Sequence, residues 1–148
     1  SRRQRQMCIR DRLAPVHTVA EMVTAVQHAI DYARKQGASN VTTWGYSSGG
    51  ALAALAPADA LLLTFPDFGA LANLPEDLRA GYAIPADLSN LCPVTFVQTA
   101  TEDEIAPRVS VPGAVARDYV STHRVSTPAV ARQRVRDAAA FLAGELEK

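Results

Sequence analysis

The sequence predicts an α/β protein, a parallel sheet carrying helices on both faces. Three observations lead there. Strand-like runs at residues 41–46, 60–65 and 94–99 alternate with segments of helical period. The middle run, Ala60-Leu61-Leu62-Leu63-Thr64-Phe65, is continuously apolar, as a strand covered on both faces requires. A glycine-rich turn, Gly45-Tyr46-Ser47-Ser48-Gly49-Gly50, joins the first run directly to the helix-forming Ala51-Leu52-Ala53-Ala54-Leu55. At 148 residues the chain is one domain, long enough to bury a core.

Thr18-Val19-Ala20-Glu21 reads as a capping box. From it Val19, Met22, Val23, Val26, Ile30 and Ala33 recur at helical spacing, and Gly37 supplies the stop. Val41-Thr42-Thr43-Trp44 opens the first strand with β-branched residues. After the second strand, residues 71–79 are expected to form a short helix in an otherwise irregular connection. There Pro66, Pro75 and Pro85 with Gly69 and Gly81 favour a short ordered loop over a helical lid. The third strand is Val94-Thr95-Phe96-Val97-Gln98-Thr99. Pro112-Gly113 interrupts the next stretch, leaving room for a shortened helix around residues 114–118 and a stub of strand. Thr127 caps the last helix with Pro128 at its first position, and Ala131, Val135, Ala138, Leu142 and Leu146 form its expected buried stripe.

The turn at Gly45 has the form Gly-x-Ser-x-Gly between a strand and a helix, the pattern of a nucleophile elbow in serine hydrolases. A sharp turn strains the serine backbone and lifts its Oγ clear of the sheet. Neighbouring side chains must be nearly absent, hence glycine two residues before and two after. The helix aims free N–H groups at the same spot, and that of Ser48 would meet a developing oxyanion. The same residues also suit a plain glycine-rich turn with Ser47 or Ser48 capping the helix. A serine nucleophile needs a base, and the base needs an acid to fix its tautomer. In this setting the chain order is Ser, then Asp or Glu, then His. His123 is the one histidine after Ser47, whereas His17 and His28 read as packing or surface residues. Asp103 follows the third strand at its C-terminal end, with Glu102 and Glu104 as substitutes and Asp67 as a more distant rival.

Arg12-Leu13-Ala14-Pro15, the helix pattern after it, the elbow with its second glycine, and Thr99-Ala100-Thr101-Glu102-Asp103 resemble the hormone-sensitive-lipase-like branch of the α/β-hydrolases. The likeness runs from Arg12 to about Pro107 in order and approximate spacing. Ser48 stands where that family has alanine, and Arg124 follows His123 where it has glycine. Twenty residues separate Asp103 from His123, fewer than the helix and strand that the family fits there. The family's His-Gly-Gly-Gly oxyanion segment occurs nowhere in the chain. The resemblance implies the C-terminal portion of a three-layer, parallel-sheet α/β-hydrolase core. It implies carboxylic-ester hydrolysis through an acyl-enzyme, with Ser47 as nucleophile, His123 as general base then acid, and Asp103 as orienter. Ser48 N–H would be half of the oxyanion hole, and no cofactor is implied. The expected substrate is a small-molecule ester, small and soluble rather than long-chain. A dienelactone-hydrolase-like enzyme or a serine peptidase on the same fold is the alternative within catalysis. The short interval before His123 and the missing glycine after it favour a non-catalytic binding member.

Residues 1–11 hold four arginines and one aspartate, and the string from Arg5 to Asp11 resembles translated sequencing-adapter read-through. They are read as a non-native leader, with residues 12–148 as a partial α/β-hydrolase catalytic domain. Formal charge balances at zero, which argues against a polyanionic partner such as a nucleic acid. Cys8 and Cys92 form no disulfide framework, and neither they nor the three histidines have metal-ligand spacing. No apolar run is long enough to span a membrane, and the reading is of a cytoplasmic protein. If the strand that precedes Arg12 in the resembled family is lost, residues 41–46 become an apolar sheet edge, a route to association. The purified chain is therefore expected to be marginally stable or to aggregate on size exclusion. A monodisperse monomer with a sharp melting transition would overturn that expectation.

Overall fold

In the computed structural model, residues 17–56, 58–79, 82, 88 and 91–146 are described. The leader at 1–11, Cys8, the Arg12-Leu13-Ala14-Pro15 segment, Gly81 and Pro85 lie outside the described residues. Helix α1 runs Val19–Lys35, with the Thr18 hydroxyl accepting from Glu21 N–H at 3.2 Å. Only half of the capping box is made. The Glu21 carboxylate reaches back one residue further, to His17 Nδ1. Val19, Met22, Val23 and Ile30 are the buried face of α1, and His28 is exposed. Strand β1 is Thr42–Tyr46, helix α2 Ser48–Leu55 and strand β2 Ala60–Thr64. The connection that follows holds two single turns in place of one short helix, α3 at Gly69–Ala72 and α4 at Glu76–Arg79. Strand β3 is Thr95–Ala100, β4 is Val115–Tyr119, and α5 is Pro128–Leu142.

The strands form one all-parallel sheet in the order β1-β2-β3-β4. All of β3 and four of the five residues of β2 are buried, which accounts for their apolar runs. Leu61 and Leu63 point into a core with Val97 and with Val19, Met22, Val23, Ala51, Ala53 and Leu71 from α1, α2 and α3. Leu62 and Phe96 point the other way, onto Ala138 and Phe141 of α5. Three layers result. Strand β1 is covered on one face only, so Trp44 and Tyr46 are about half exposed.

Two expectations are corrected here. The stretch around residues 114–118 is no helix but strand β4, paired with β3 from Phe96–Val115 to Ala100–Tyr119. Its alternation is hidden because Arg117 takes a half-buried position between Val115 and Tyr119, its aliphatic stem standing where an apolar residue would signal a strand. The residues between β3 and β4 cross over without a helix, which is how twenty residues suffice to reach His123. The second correction concerns α5. Its cap is as read, with Thr127 Oγ1 accepting from Val130 N–H and Pro128 in the first turn. Its buried face, however, is Ala138 and Phe141, while Val135 and Leu142 are exposed. The helix rolls so that Phe141 meets Phe96, ring centroids 5.3 Å apart, and the small Ala138 lets it approach the sheet.

Beneath α5 a buried polar chain crosses the strands. Trp44 Nε1 donates to Thr64 Oγ1, which donates to Gln98 Oε1. Gln98 Nε2 donates to the Arg134 carbonyl at 2.9 Å and to Tyr119 Oη at 3.3 Å. Tyr119 in turn donates to Asp137, whose other oxygen accepts from Gln133. Gln98 is fully buried, and both ends of its amide are satisfied, as burial of a polar group demands.

The elbow glycines are not equivalent. A Cβ at Gly45 would lie 2.1 Å from the Gly49 carbonyl oxygen, and one at Gly50 would lie 3.0 Å from Pro66 Cβ. At Gly49 it would meet nothing within 4 Å. The close approach thus needs Gly45 and Gly50, not the symmetric pair of the motif. Gly45→Ala is expected to lower the melting temperature by ten degrees or more, or to prevent folding, on the order of 3 kcal/mol or above. Gly49→Ala should melt within a few degrees of wild type. Equal tolerance at both positions in a thermal-melt comparison would refute the packing argument.

Candidate active site

Ser47 links β1 to α2 with φ 55° and ψ −123°, a left-handed backbone that side chains rarely adopt. Three hydrogen bonds hold it there. Its N–H donates to the Thr64 carbonyl at 3.0 Å, and its carbonyl accepts from Gly50 at 2.9 Å and from Asp67 at 3.0 Å. Ser48 begins α2, so its N–H has no acceptor within the helix. It stands next to the Ser47 hydroxyl in sequence and at the positive end of the helix.

Asp103 lies just beyond β3. Its Oδ1 accepts from Ile105 N–H at 2.9 Å and Ala106 N–H at 2.7 Å, leaving Oδ2 free for His123 Nδ1 at 2.8 Å. Burial pushes the carboxyl upward, but the Ala106 amide, His123 and the Ile105 amide together outweigh it and hold Asp103 below its ordinary range. An ionised Asp103 can only accept, so Nδ1 carries the proton, and Nε2 of the neutral imidazole is an acceptor. Nε2 lies 2.8 Å from Ser47 Oγ, which therefore donates to it. His123 itself is 4 % exposed.

The structure thus brings Ser47, His123 and Asp103 into one hydrogen-bonded line. The rivals for the acid stand elsewhere. Asp67 caps the turn of α3 through Ala70 N–H, and Glu102 is exposed, with its N–H on the Ser121 carbonyl. Glu104 is near but takes a different partner: its Oε2 accepts from the backbone N–H of His123 at 2.7 Å. That bond, before any other influence, holds the Glu104 carboxyl below its ordinary range. His17 is paired with Glu21, and Cys92 lies against the Ala58 and Asp59 carbonyls. Among the described residues no group of three His, Cys, Asp or Glu side chains could hold a metal ion. Nor is any helix among them long and apolar enough to cross a membrane.

Sequence reasoning missed two aromatic neighbours. The Tyr46 hydroxyl donates to the His123 carbonyl, and its ring lies 5.5 Å from the imidazole, centroid to centroid. Burial raises the Tyr46 pKa, more than Arg134 lowers it, so the hydroxyl keeps its proton at neutral pH. Phe65 follows β2 at φ 47° and packs 6.1 Å from the imidazole, with the Arg134 guanidinium of α5 5.0 Å from its ring centroid. The left-handed step breaks the alternation of β2. It turns Phe65 onto Ala100, Tyr119 and Val130 instead of the side that Leu63 faces. Tyr46 was visible as the residue before Ser47; a positive φ at Phe65 leaves no mark in the sequence.

No protein-family model and no curated protein sequence matches the chain. Solved structures do. Porphyromonas gingivalis dipeptidyl peptidase 4 superposes over 88 % of this chain and 23 % of its own, with a TM-score of 0.63 and 14 % identity. A CIB-like hydrolase from Thermoplasma acidophilum matches 86 % of this chain and 61 % of its own, with a TM-score of 0.58 and 14 % identity. The fold is an α/β-hydrolase core. The chain spans less than two thirds of the length of either of these hydrolases.

The lowered Asp103 pKa has a consequence for stability. A carboxyl whose folded pKa lies below its unfolded value of about 3.9 contributes stability fully above that value, and loses it as pH falls through the folded pKa. Wild type should therefore lose melting temperature more steeply than Asp103→Asn as pH drops from about 5 toward 2. Melts followed by circular dichroism across that range check it, and parallel slopes would contradict it.

Proposed function

We propose that this chain carries the nucleophile, the general base and its orienting acid of a serine hydrolase acting on carboxylic esters. The supporting observation is the line Ser47 Oγ, His123 Nε2, His123 Nδ1, Asp103 Oδ2, with both contacts at 2.8 Å. The order of the contacts suits the first step, with Asp103 at one ring nitrogen and the serine hydroxyl at the other. Ser47 Oγ attacks the ester carbonyl carbon while His123 Nε2 takes its proton. The carbonyl oxygen gains the charge and receives the Ser48 N–H. The tetrahedral adduct then expels the alkoxide, which takes the proton from Nε2 and leaves as the alcohol. Water adds to the acyl-serine by the same route, giving its proton to Nε2, and the acid departs as the proton returns to Ser47 Oγ. Asp103 stays ionised throughout, holding the imidazole in its tautomer and stabilising the imidazolium.

The hormone-sensitive-lipase-like resemblance favours esters, and the prolines and glycines after the second strand, which favour a short loop over a helical lid, favour small and soluble acyl groups. A dienelactone-hydrolase-like or peptidase activity shares every step above and differs in pockets rather than in these residues. A non-catalytic binding role is favoured by the short interval before His123 and by Arg124 in place of glycine after it. That interval holds β4 alone and still delivers His123 to hydrogen-bonding distance of both partners. Ser48 N–H is one oxyanion donor, and loss of a single donor costs about a hundred- to a thousand-fold in rate. With no His-Gly-Gly-Gly segment in the sequence, slow turnover is expected from this chain by itself.

Incubation with a fluorophosphonate, read by intact mass, tests the proposal. Wild type should gain one phosphonyl group, on Ser47, and Ser47→Ala none. His123→Ala should label at least about a thousand-fold more slowly, and in hydrolysis of a short p-nitrophenyl ester the losses of Ser47→Ala and His123→Ala should not multiply in the double variant, because triad members act as a unit. An unlabelled wild type, or label on another serine, would overturn the proposal.

A further inference from the structure

The serine and the acid each have a sequence neighbour that grips the histidine by its backbone. Tyr46 precedes Ser47, and its hydroxyl donates to the His123 carbonyl. Glu104 follows Asp103, and its Oε2 accepts the His123 N–H. The imidazole is held by Ser47 and Asp103 at its two nitrogens, while the peptide that carries it is held by the residues beside them. We propose that Glu104 and Tyr46 are positioning residues of this site, clamping the His123 backbone so that its ring meets Ser47 and Asp103 together.

The need for a clamp follows from where His123 sits. It lies beyond the end of β4, in a segment with no helix or strand of its own, between Tyr119 and the Thr127 cap of α5. Ser121 ties that segment together internally, through Ser126 and the Thr122 and Val125 carbonyls, and its own carbonyl takes the Glu102 N–H at 3.1 Å, but these bonds stop two residues short of His123 and none reaches the elbow. Catalytic geometry tolerates only about half an ångström and 10–20° of error. A histidine held by its ring alone would swing with its loop. The Glu104 and Tyr46 bonds tie that loop to the acid loop and to the elbow, so the three catalytic segments move as one body.

The bonds are also placed where a merely structural role would be weak. Glu104 is exposed and packs into no core, so its removal leaves the fold intact. Tyr46 is 47 % exposed, and its ring contacts to Phe65 and His123 survive loss of the hydroxyl alone. Glu102, two residues earlier, carries the same charge on the same loop without the bond. It separates the hydrogen bond from the local negative charge.

The inference rests on the serine-hydrolase reading, and the test keeps the two apart. Saturating fluorophosphonate inactivation gives a limiting rate and a half-saturation concentration for each variant. Glu104→Ala should lower the limiting rate about ten- to a hundred-fold, the scale of a misplaced catalytic group, with the half-saturation concentration and the melt unchanged. Glu104→Gln, whose amide oxygen accepts the same N–H, should stay within about threefold of wild type. Glu102→Ala should match wild type, and Tyr46→Phe should be slowed like Glu104→Ala. Proton NMR of the unreacted chain supplies a readout that needs no activity. The far-downfield His123 Nδ1–H resonance expected of wild type should broaden or vanish in Glu104→Ala and persist in Glu104→Gln. A wild type that shows this resonance but takes no label would sink the hydrolase reading, while its loss in Glu104→Ala would still uphold the clamp. An unchanged resonance and rate in Glu104→Ala, or Glu104→Gln as impaired as Glu104→Ala, would overturn the clamp.

Discussion

The left-handed backbone of Ser47 is the constraint from which the site is built. A side-chain-bearing residue at φ 55° costs on the order of 1–3 kcal/mol, and it persists only where its surroundings over-determine it. Here they do so three times, through the Thr64 carbonyl and the Gly50 and Asp67 amides. These bonds tie the elbow to the end of β2 and the loop after it, so the position of the serine is set by the neighbouring strand as much as by its own. Gly45 then has to pass beneath the Gly49 carbonyl with no room for a Cβ. The close glycine is thus a result of the turn's depth, and Gly49, which faces open space, is free of that demand.

A second strained residue serves the histidine. Phe65 leaves β2 in a left-handed step that no glycine eases, and its ring comes within 5.0 Å of the Arg134 guanidinium and 6.1 Å of the imidazole. Below it the chain of bonds from Trp44 through Thr64, Gln98 and Tyr119 to Asp137 fixes α5 against the same end of the sheet. A buried polar chain of this kind is stable only when every member is satisfied, and it specifies one arrangement where an apolar layer would tolerate several. Helix α5 therefore contributes to the site through register, although none of its side chains touches the serine or the acid.

What was legible in the sequence follows a physical rule. The meeting of Ser47, Asp103 and His123 could be anticipated because the chemistry expected of them restricts residue type and chain order. Strands β2 and β3 could be read because burial on both faces makes them continuously apolar. Strand β4 escaped because one face is solvated and an arginine stem stands at its inward position. The face of α5 escaped because Val135 and Leu142 are as apolar as the residues that are buried, and only tertiary packing chooses between neighbouring stripes. Glu104 was weighed as an acid since its carboxylate lies beside Asp103. That it meets a backbone N–H nineteen residues away is decided by loop geometry, which periodicity does not encode.

The bond between His123 and Ser47 joins positions 76 apart in the chain, across a sheet whose two central strands lie between them. Contacts of such separation come late, because the loop-closure entropy must be offset before they can form. Strand β4 has to dock on β3 before His123 comes within reach of the serine. The bond between Ser47 and His123 therefore reports on the whole sheet, since it exists only when all four strands are seated in register.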